Sequence, residues 1–437
     1  MANFVQKVES FFKDIGMEAK KIEAEAPISP RREESGVPAK PMILEPQGAA
    51  KDLKPTGRFL SRLKKWLSAC SPGSHPPQRG RIVSVDALRG FDMFWITGGE
   101  MAFLRLNEVV HWPLTAAVAN QLHHVPWVGF HFEDLIHPLF LFLVGVSMPL
   151  SFGRRLATSS KATLWKHIFR RVAILWFLGM VVQGNLLSYD FKQLGFYSNT
   201  LQTIAAGYLI ASILILYSDV SFQFLATLVL LLVYGAILAL VPVPGIGRPM
   251  LEPHHNIALY IDSIIMGSHY IICPWTTILP TLSFGAMVMV GVFASYILQS
   301  AMTSLRKAGV LSVIGVVLSA AGLALSVFQP IIKHIFTPSY ALFSSGLCFL
   351  LMALFCLVID HGKLTRWTKF FMVIGSNSIF AYVLSGLYSF EGFASVFLGG
   401  LKVHMGAWYP FVLSIGTYTV FWLILWHLYK QKIFIRL

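Results

Sequence analysis

Apolar runs about as long as a bilayer's hydrocarbon core recur along this chain, and they leave little choice of fold. Roughly 20 apolar residues let one helix cross a core of about 30 Å. Such runs are read at about 85–106, 133–153, 168–187, 199–217, 221–242, 276–298, 307–328, 339–359, 370–388 and 409–429. A shorter apolar piece at 392–401 admits an eleventh, as a re-entrant or interfacial segment. The expected class is all-α: a polytopic helix bundle of about ten transmembrane helices. Composition agrees, with 55% hydrophobic and only 13% charged residues, where a soluble domain carries about 25% charge.

The net charge of +14 would suggest nucleic acid in a soluble protein. Its distribution points elsewhere. Arg154, Arg155, Lys161, Lys166, Arg170 and Arg171 crowd one inter-span loop. Arg306 and Lys307 mark a second such loop, Lys363, Arg366 and Lys369 a third, and Lys430, Lys432 and Arg436 the tail. The alternate loops hold only Lys192, Arg248, Lys333 and Lys402. Basic residues gather on the cytoplasmic side of membrane proteins, so both termini are expected there. The loop 106–132 and the longest loop, 243–275, then lie on the far side.

Residues 1–80 read as a separate cytoplasmic tail, and 81–437 as the membrane domain. The tail's apolar residues suggest a short amphipathic helix over 4–25, a disordered linker over 27–57 and a basic amphipathic helix over 58–69. The first 25 residues mix Lys and Glu, so no signal peptide is expected. Four cysteines, Cys70, Cys273, Cys348 and Cys356, show no metal or redox spacing. Cys348 and Cys356 read as packing residues.

The polar groups that persist inside or beside the spans are the functional candidates, because ionisable groups there are costly. Asp86, Arg89 and Glu100 fall within about 60° of one another on a regular helix. Gly98 and Gly99 would admit a close neighbour. The stretch His123–Pro149 places His123, His124, Trp127, His131, Glu133, Asp134 and His137 directly before and into an apolar run. A metal site is the obvious rival reading, but the spacing is irregular and lacks HExxH or HxxxH. Asn199 and Gln202 open the fourth span. Lys333 and His334 precede the eighth, and Ser376, Asn377, Ser378 and Tyr382 lie in the ninth. Asp262 sits on a short helix expected on the outer face.

Taken in order, SVDALRG, HxxWxGxxxxDLIHPLFLFLVGVSM, NTLQTIA, PIIKHIFTPSYALFSSGL, GSNSIFAYVLSG and WHLYKQKIFIRL cover much of residues 82–437. This series resembles the heparan-α-glucosaminide N-acetyltransferase family of transmembrane acyltransferases, and its first segment resembles a bacterial branch of that family. The resemblance implies transfer of an acetyl group from cytoplasmic acetyl-CoA to an amino sugar or glycan on the far side of the bacterial inner membrane. It maps the essential histidine onto His124, its aspartate onto Asp134, and the DxxRG motif onto Asp86, Arg89 and Gly90.

Three departures stand out: Glu100 where the animal enzyme has Asn, Thr203 where the family has Arg, and His137 where it has Phe. His124 is expected as base or transient acyl carrier, oriented by Asp134 or Glu100. Asp86, Arg89, Gln202 and Asn377 are expected at the cosubstrate, with Gln202, Asn377 or a backbone N–H at the oxyanion. Arg154, Arg155, Arg170 and Arg171 are further candidates for its phosphates. Acetyl-CoA is the implied cosubstrate. Membrane lipid and a sugar acceptor are the implied partners, and a homodimer is an open assembly. No metal or nucleic acid is expected. A transporter or flippase of a glycan precursor, without chemistry, is the alternative.

Overall fold

The computed structural model describes residues 18–21, 82–267 and 275–436. The disordered linker and basic helix expected in the tail lie outside these residues. So does most of the helix expected over 4–25. Its described part is a strand instead: β1 (Glu18–Lys21) pairs antiparallel with β2 (Ile433–Arg436) at the other end of the chain. Everything else of consequence is helical.

Among the described residues, seven helices are long and apolar enough to cross a membrane. An eighth is added if Thr368–Ser376 and Ser378–Leu387, bent by 76° at their junction, count as one span. These correspond to eight of the ten expected spans. The other two exist as helices but fail that test for visible reasons. The run 85–106 is divided into α1 (Val83–Phe94), a π-helical turn (Trp95–Gly99) and α2 (Glu100–Val110). The run 168–187 belongs to a longer helix, Lys161–Val182, whose first half carries Lys161, Lys166, Arg170 and Arg171.

Burial sorts the long helices into two layers. The span at Phe132–Leu156, including α3 (Ile136–Leu156), is 83% buried over its apolar window, and α4 (Thr281–Gln299) is 78% buried. They form the centre. The helices Val220–Leu240 and Ser304–Ser326 are only 28% and 22% buried and present Leu225, Leu232, Val316 and Val317 outward. Apolar residues outside and polar residues inside is the pattern lipid requires.

Glycines set how closely the central helices approach. A Cβ at Gly145 would stand 1.9 Å from the Val288 carbonyl oxygen, and one at Gly291 would stand 2.0 Å from that of Phe142. The crossing of α3 and α4 is therefore backbone against backbone, as small residues allow between membrane helices. Gly90, in the DxxRG motif, does the same for α1 against α5 (Thr368–Ser376): its Cβ would meet the Phe371 carbonyl oxygen at 1.8 Å. Gly98 differs. No atom lies within 4 Å of its Cβ position, but its φ is +102°. It supplies the backbone angle of the π turn rather than a close contact.

Candidate functional site

The polar residues collect at two places, at opposite ends of α3. The first is built on the short 3₁₀ turn Phe132–Leu135 that leads into this helix. His124 Nδ1 lies 3.0 Å from Asp134 Oδ1. The other carboxylate oxygen accepts from the backbone N–H of His131 at 3.0 Å and of Val125 at 3.4 Å. The Tyr340 hydroxyl donates to the Asp134 carbonyl at 2.5 Å. Asp134 is thus held from three sides and is 1% exposed, whereas the His124 side chain is 48% exposed. The turn fixes the acid, and the acid fixes the imidazole.

A third member comes from 200 residues away. Lys333 is buried, with Nζ 3.2 Å from Asp134 Oδ1 and 2.9 Å from His124 Nδ1. Its ammonium also sits 4.9 Å from the centre of the Trp275 ring. Nδ1 cannot both donate to Asp134 and accept from Lys333. A carboxylate between an ammonium and an imidazole is best satisfied when both donate to it. The arrangement is then Nδ1–H to Asp134, Nζ–H to Asp134, and an unprotonated Nε2 on the exposed ring, itself 3.3 Å from Lys333 Nζ. Burial pushes the Lys333 ammonium below its ordinary range, and Asp134 opposes that. Burial lowers the neighbouring His334 as well. The His334 ring stacks on Trp127, with centroids 5.1 Å apart, and Trp127 Nε1 donates to the Leu251 carbonyl.

The sequence places Lys333 among the polar groups before the eighth span and inside a segment of the resemblance, but gives it no role. A lone cation where charge is otherwise scarce was the available signal.

The second place is a cavity of about 630 Å³ among α1, α3, α6 (Lys161–Val182) and α7 (Thr200–Tyr217). Asp86, Arg89, Arg154, Arg155, His167 and Arg171 line it. Arg89 lies 3.5 Å from Asp86 and donates to Ser147 Oγ at 2.5 Å. The Arg171 guanidinium lies over the Tyr208 ring at 4.6 Å. Deeper in, the walls become apolar: Leu143, Phe140, Leu201 and Ile204. The break between α5 and the helix Ser378–Leu387 also faces this space through Ser376 and Ser378. Arg170 is not in the lining.

The lining residues on α3 run from Arg155 back to Phe140. At 1.5 Å per residue this is roughly 20 Å of helix, and Phe140 lies about 9 Å along the axis from Asp134. The cavity lining on α3 therefore stops nearly two turns short of Asp134.

The remaining expected site residues lie as follows. Gln202 is fully buried, and both ends of its amide bind local backbone. Oε1 accepts from Ser198 and Asn199, and Nε2 donates to the Phe196 carbonyl at 2.7 Å. Together with Asn199 it caps α7. Asn377 sits at the helix break and clamps the closing strand, donating to the Ile433 carbonyl at 3.0 Å and accepting from Ile435 N–H at 2.8 Å. Neither amide lines the cavity. Glu100 does not share a face with Asp86 and Arg89. The π turn between them changes the register, and Glu100 lies outside the cavity that Asp86 and Arg89 line.

Two of the three departures from the family pattern touch each other. His137 Nε2 lies 2.9 Å from Thr203 Oγ1. That hydroxyl donates to the Thr200 carbonyl, so it accepts from His137, which places the ring proton on Nε2. Among the described residues, no group of three His, Cys, Asp or Glu side chains stands close enough to hold a metal ion. No protein-family model matches the chain, and no curated protein matches it significantly.

Proposed function

We propose that the protein is a transmembrane acyltransferase resembling the heparan-α-glucosaminide N-acetyltransferases. It would move an acetyl group from acetyl-CoA, entering at the basic cavity, to an amino sugar or glycan at the His124 end. The observation that carries this reading is the alignment of the two places along α3. A mouth with several arginines suits phosphates. A cavity whose lining runs along roughly 20 Å of α3, basic at its mouth and apolar deeper in, suits an extended thioester arm. A carboxylate-oriented imidazole stands beyond that end, with Asp134 about 9 Å further along the axis of α3.

His124 Nε2 is the base. The acceptor nitrogen or oxygen forms a bond to the thioester carbonyl carbon while Nε2 takes its proton. The C–S bond then breaks, its electron pair leaves with sulfur, and the imidazolium returns that proton to the thiolate. Asp134 keeps the imidazole in the Nδ1–H form and stabilises the imidazolium. The Lys333 ammonium stands beside His124 and offers a donor to the developing oxyanion. Basic crowding at the cavity end supports both termini being cytoplasmic, and the motif series supports a bacterial inner membrane.

The test is radiolabelled acetyl-CoA with the purified full chain and a panel of amino sugars. Labelled amide product is expected from the wild type and none from His124→Ala. Absence of product from every acceptor, with acetyl-CoA bound, would favour a carrier of glycan precursors instead.

A further inference from the structure

We propose that the headgroup of an anionic phospholipid binds on the outer side of α6 and α7, at the end of the bundle where the basic cavity lies. α6 carries two stripes of residues at helical spacing. Leu164, His167, Arg171 and Leu175 line the cavity. Lys166 and Arg170 each stand one position earlier and are exposed, as are Lys161 and Phe169. One position is about 100° of helix, so the second stripe looks out of the bundle. Arg170 is missing from the cavity, although Arg171 lines it, because the two lie on different sides of α6.

The outward side is a built surface. Trp165 Nε1 donates to the Tyr217 hydroxyl at 2.9 Å, and the two rings stack with centroids 6.3 Å apart. The Phe169 ring lies 5.2 Å from that of Trp165, and Lys161 Nζ stands 5.4 Å from the centre of the Tyr217 ring. These contacts tie the first turns of α6 to Tyr217, the last residue of a helix long and apolar enough to cross a membrane. Trp and Tyr favour that depth, where an apolar ring meets acyl chains and a polar edge meets headgroups. Further along, the exposed side turns apolar, with Phe177 on α6 and Ile213 on α7.

Charge selects the occupant. Among the described residues, none of Lys161, Lys166 and Arg170 forms an ion pair with a carboxylate. Asp219, two residues beyond Tyr217, caps the next helix instead, accepting from the Ser221 N–H at 3.2 Å. Three cations without an internal counter-charge, set on an aromatic shelf beside an apolar strip, match a phosphate diester joined to acyl chains. A soluble cosubstrate in the cavity would lie on the opposite side of α6. The lipid site stands whether or not the protein transfers acyl groups.

The test is native mass spectrometry of the full chain in detergent, with equal amounts of phosphatidylglycerol and phosphatidylcholine of the same acyl length. The wild type should retain the anionic lipid preferentially. The double variant Lys166→Gln and Arg170→Gln should lower that preference about 25-fold, at about fivefold for each cation lost. The double variant Lys363→Gln and Arg366→Gln, in another basic loop, should keep the wild-type preference. All four positions are exposed, so neither variant disturbs packing. An unchanged preference in the first variant, or an equal loss in the second, overturns the site. Glycerophosphoglycerol, the same headgroup without chains, should leave the unfolding temperature of the wild type unchanged. Stabilisation by it equal to that by phosphatidylglycerol would make this a site for free phosphates and overturn the lipid assignment.

Discussion

The two ends of α3 use charge in opposite ways. At the cavity end, Arg89, Arg154, Arg155 and Arg171 surround an open volume. At the histidine end, Lys333 and Asp134 are 5% and 1% exposed and lie against each other, and Asp134 is further clamped by backbone N–H groups. One end sets its charges around a space that something can enter. The other satisfies most of its charge internally and presents an imidazole edge with the Lys333 ammonium beside it. Buried, mutually satisfied groups hold geometry, whereas groups around a void hold ligands. The same residue types thus serve two purposes, according to whether a space is left beside them.

This contrast can be broken by mutation. His124→Ala should cost the most, about 10²–10⁴-fold in transfer, with acetyl-CoA affinity unchanged by calorimetry. Equal loss of binding would mean that the two ends are not separate. Lys333→Met comes next. It leaves Asp134 buried with one donor fewer, an effect of about 3–5 kcal/mol where a buried pair is broken. Thermal unfolding should drop clearly, and transfer should fall even in molecules that remain folded. Arg89→Gln should weaken acetyl-CoA binding about tenfold, or about 1.4 kcal/mol, while saturating substrate restores most of the rate. A fall in the saturated rate like that of His124→Ala would move Arg89 to the chemistry.

The smallest expected effect lies away from both ends. Asp262 accepts from the backbone N–H groups of Thr277 and Ile278 at 2.7 and 3.1 Å. Burial nevertheless pushes its carboxyl up from 3.8 to about 6, with those hydrogen bonds pulling the other way. The folded state then binds this proton more tightly than the unfolded state. Its contribution is present at low pH and lost as pH rises through about 4 to 6. Asp262→Asn should flatten the unfolding temperature across that window, and an unchanged slope would assign the pH dependence elsewhere.

The pairing of His137 with Thr203 shows how far sequence reading could go. Each was visible as a departure from the family pattern, yet nothing in the order of residues connected positions 66 apart. Packing α3 against α7 put an imidazole N–H on a hydroxyl, so two separate oddities became one hydrogen bond. Glu100 shows the converse failure. Regular helical spacing put it beside Asp86 and Arg89. One π turn, with Gly98 at positive φ, breaks that spacing and leaves Glu100 outside the cavity that Asp86 and Arg89 line. Gln202 and Asn377 looked available because amides in spans need partners. Local backbone supplied those partners, at a cap and at a helix break.

By itself, the sequence determined what depends on composition and short spacing. The apolar runs required helices, because lipid leaves backbone groups no outside partner. The concentration of polar residues in His123–Pro149 marked one end of a helix, and adjacency on the chain brought His124 and Asp134 within reach. The tertiary structure alone decided what depends on contact between distant segments. It brought Lys333 to Asp134, gathered arginines from different helices around one cavity, and paired His137 with Thr203. These outcomes turn on helix crossing and register, which a pair such as Gly145 and Gly291 fixes in space through contacts between backbones far apart on the chain.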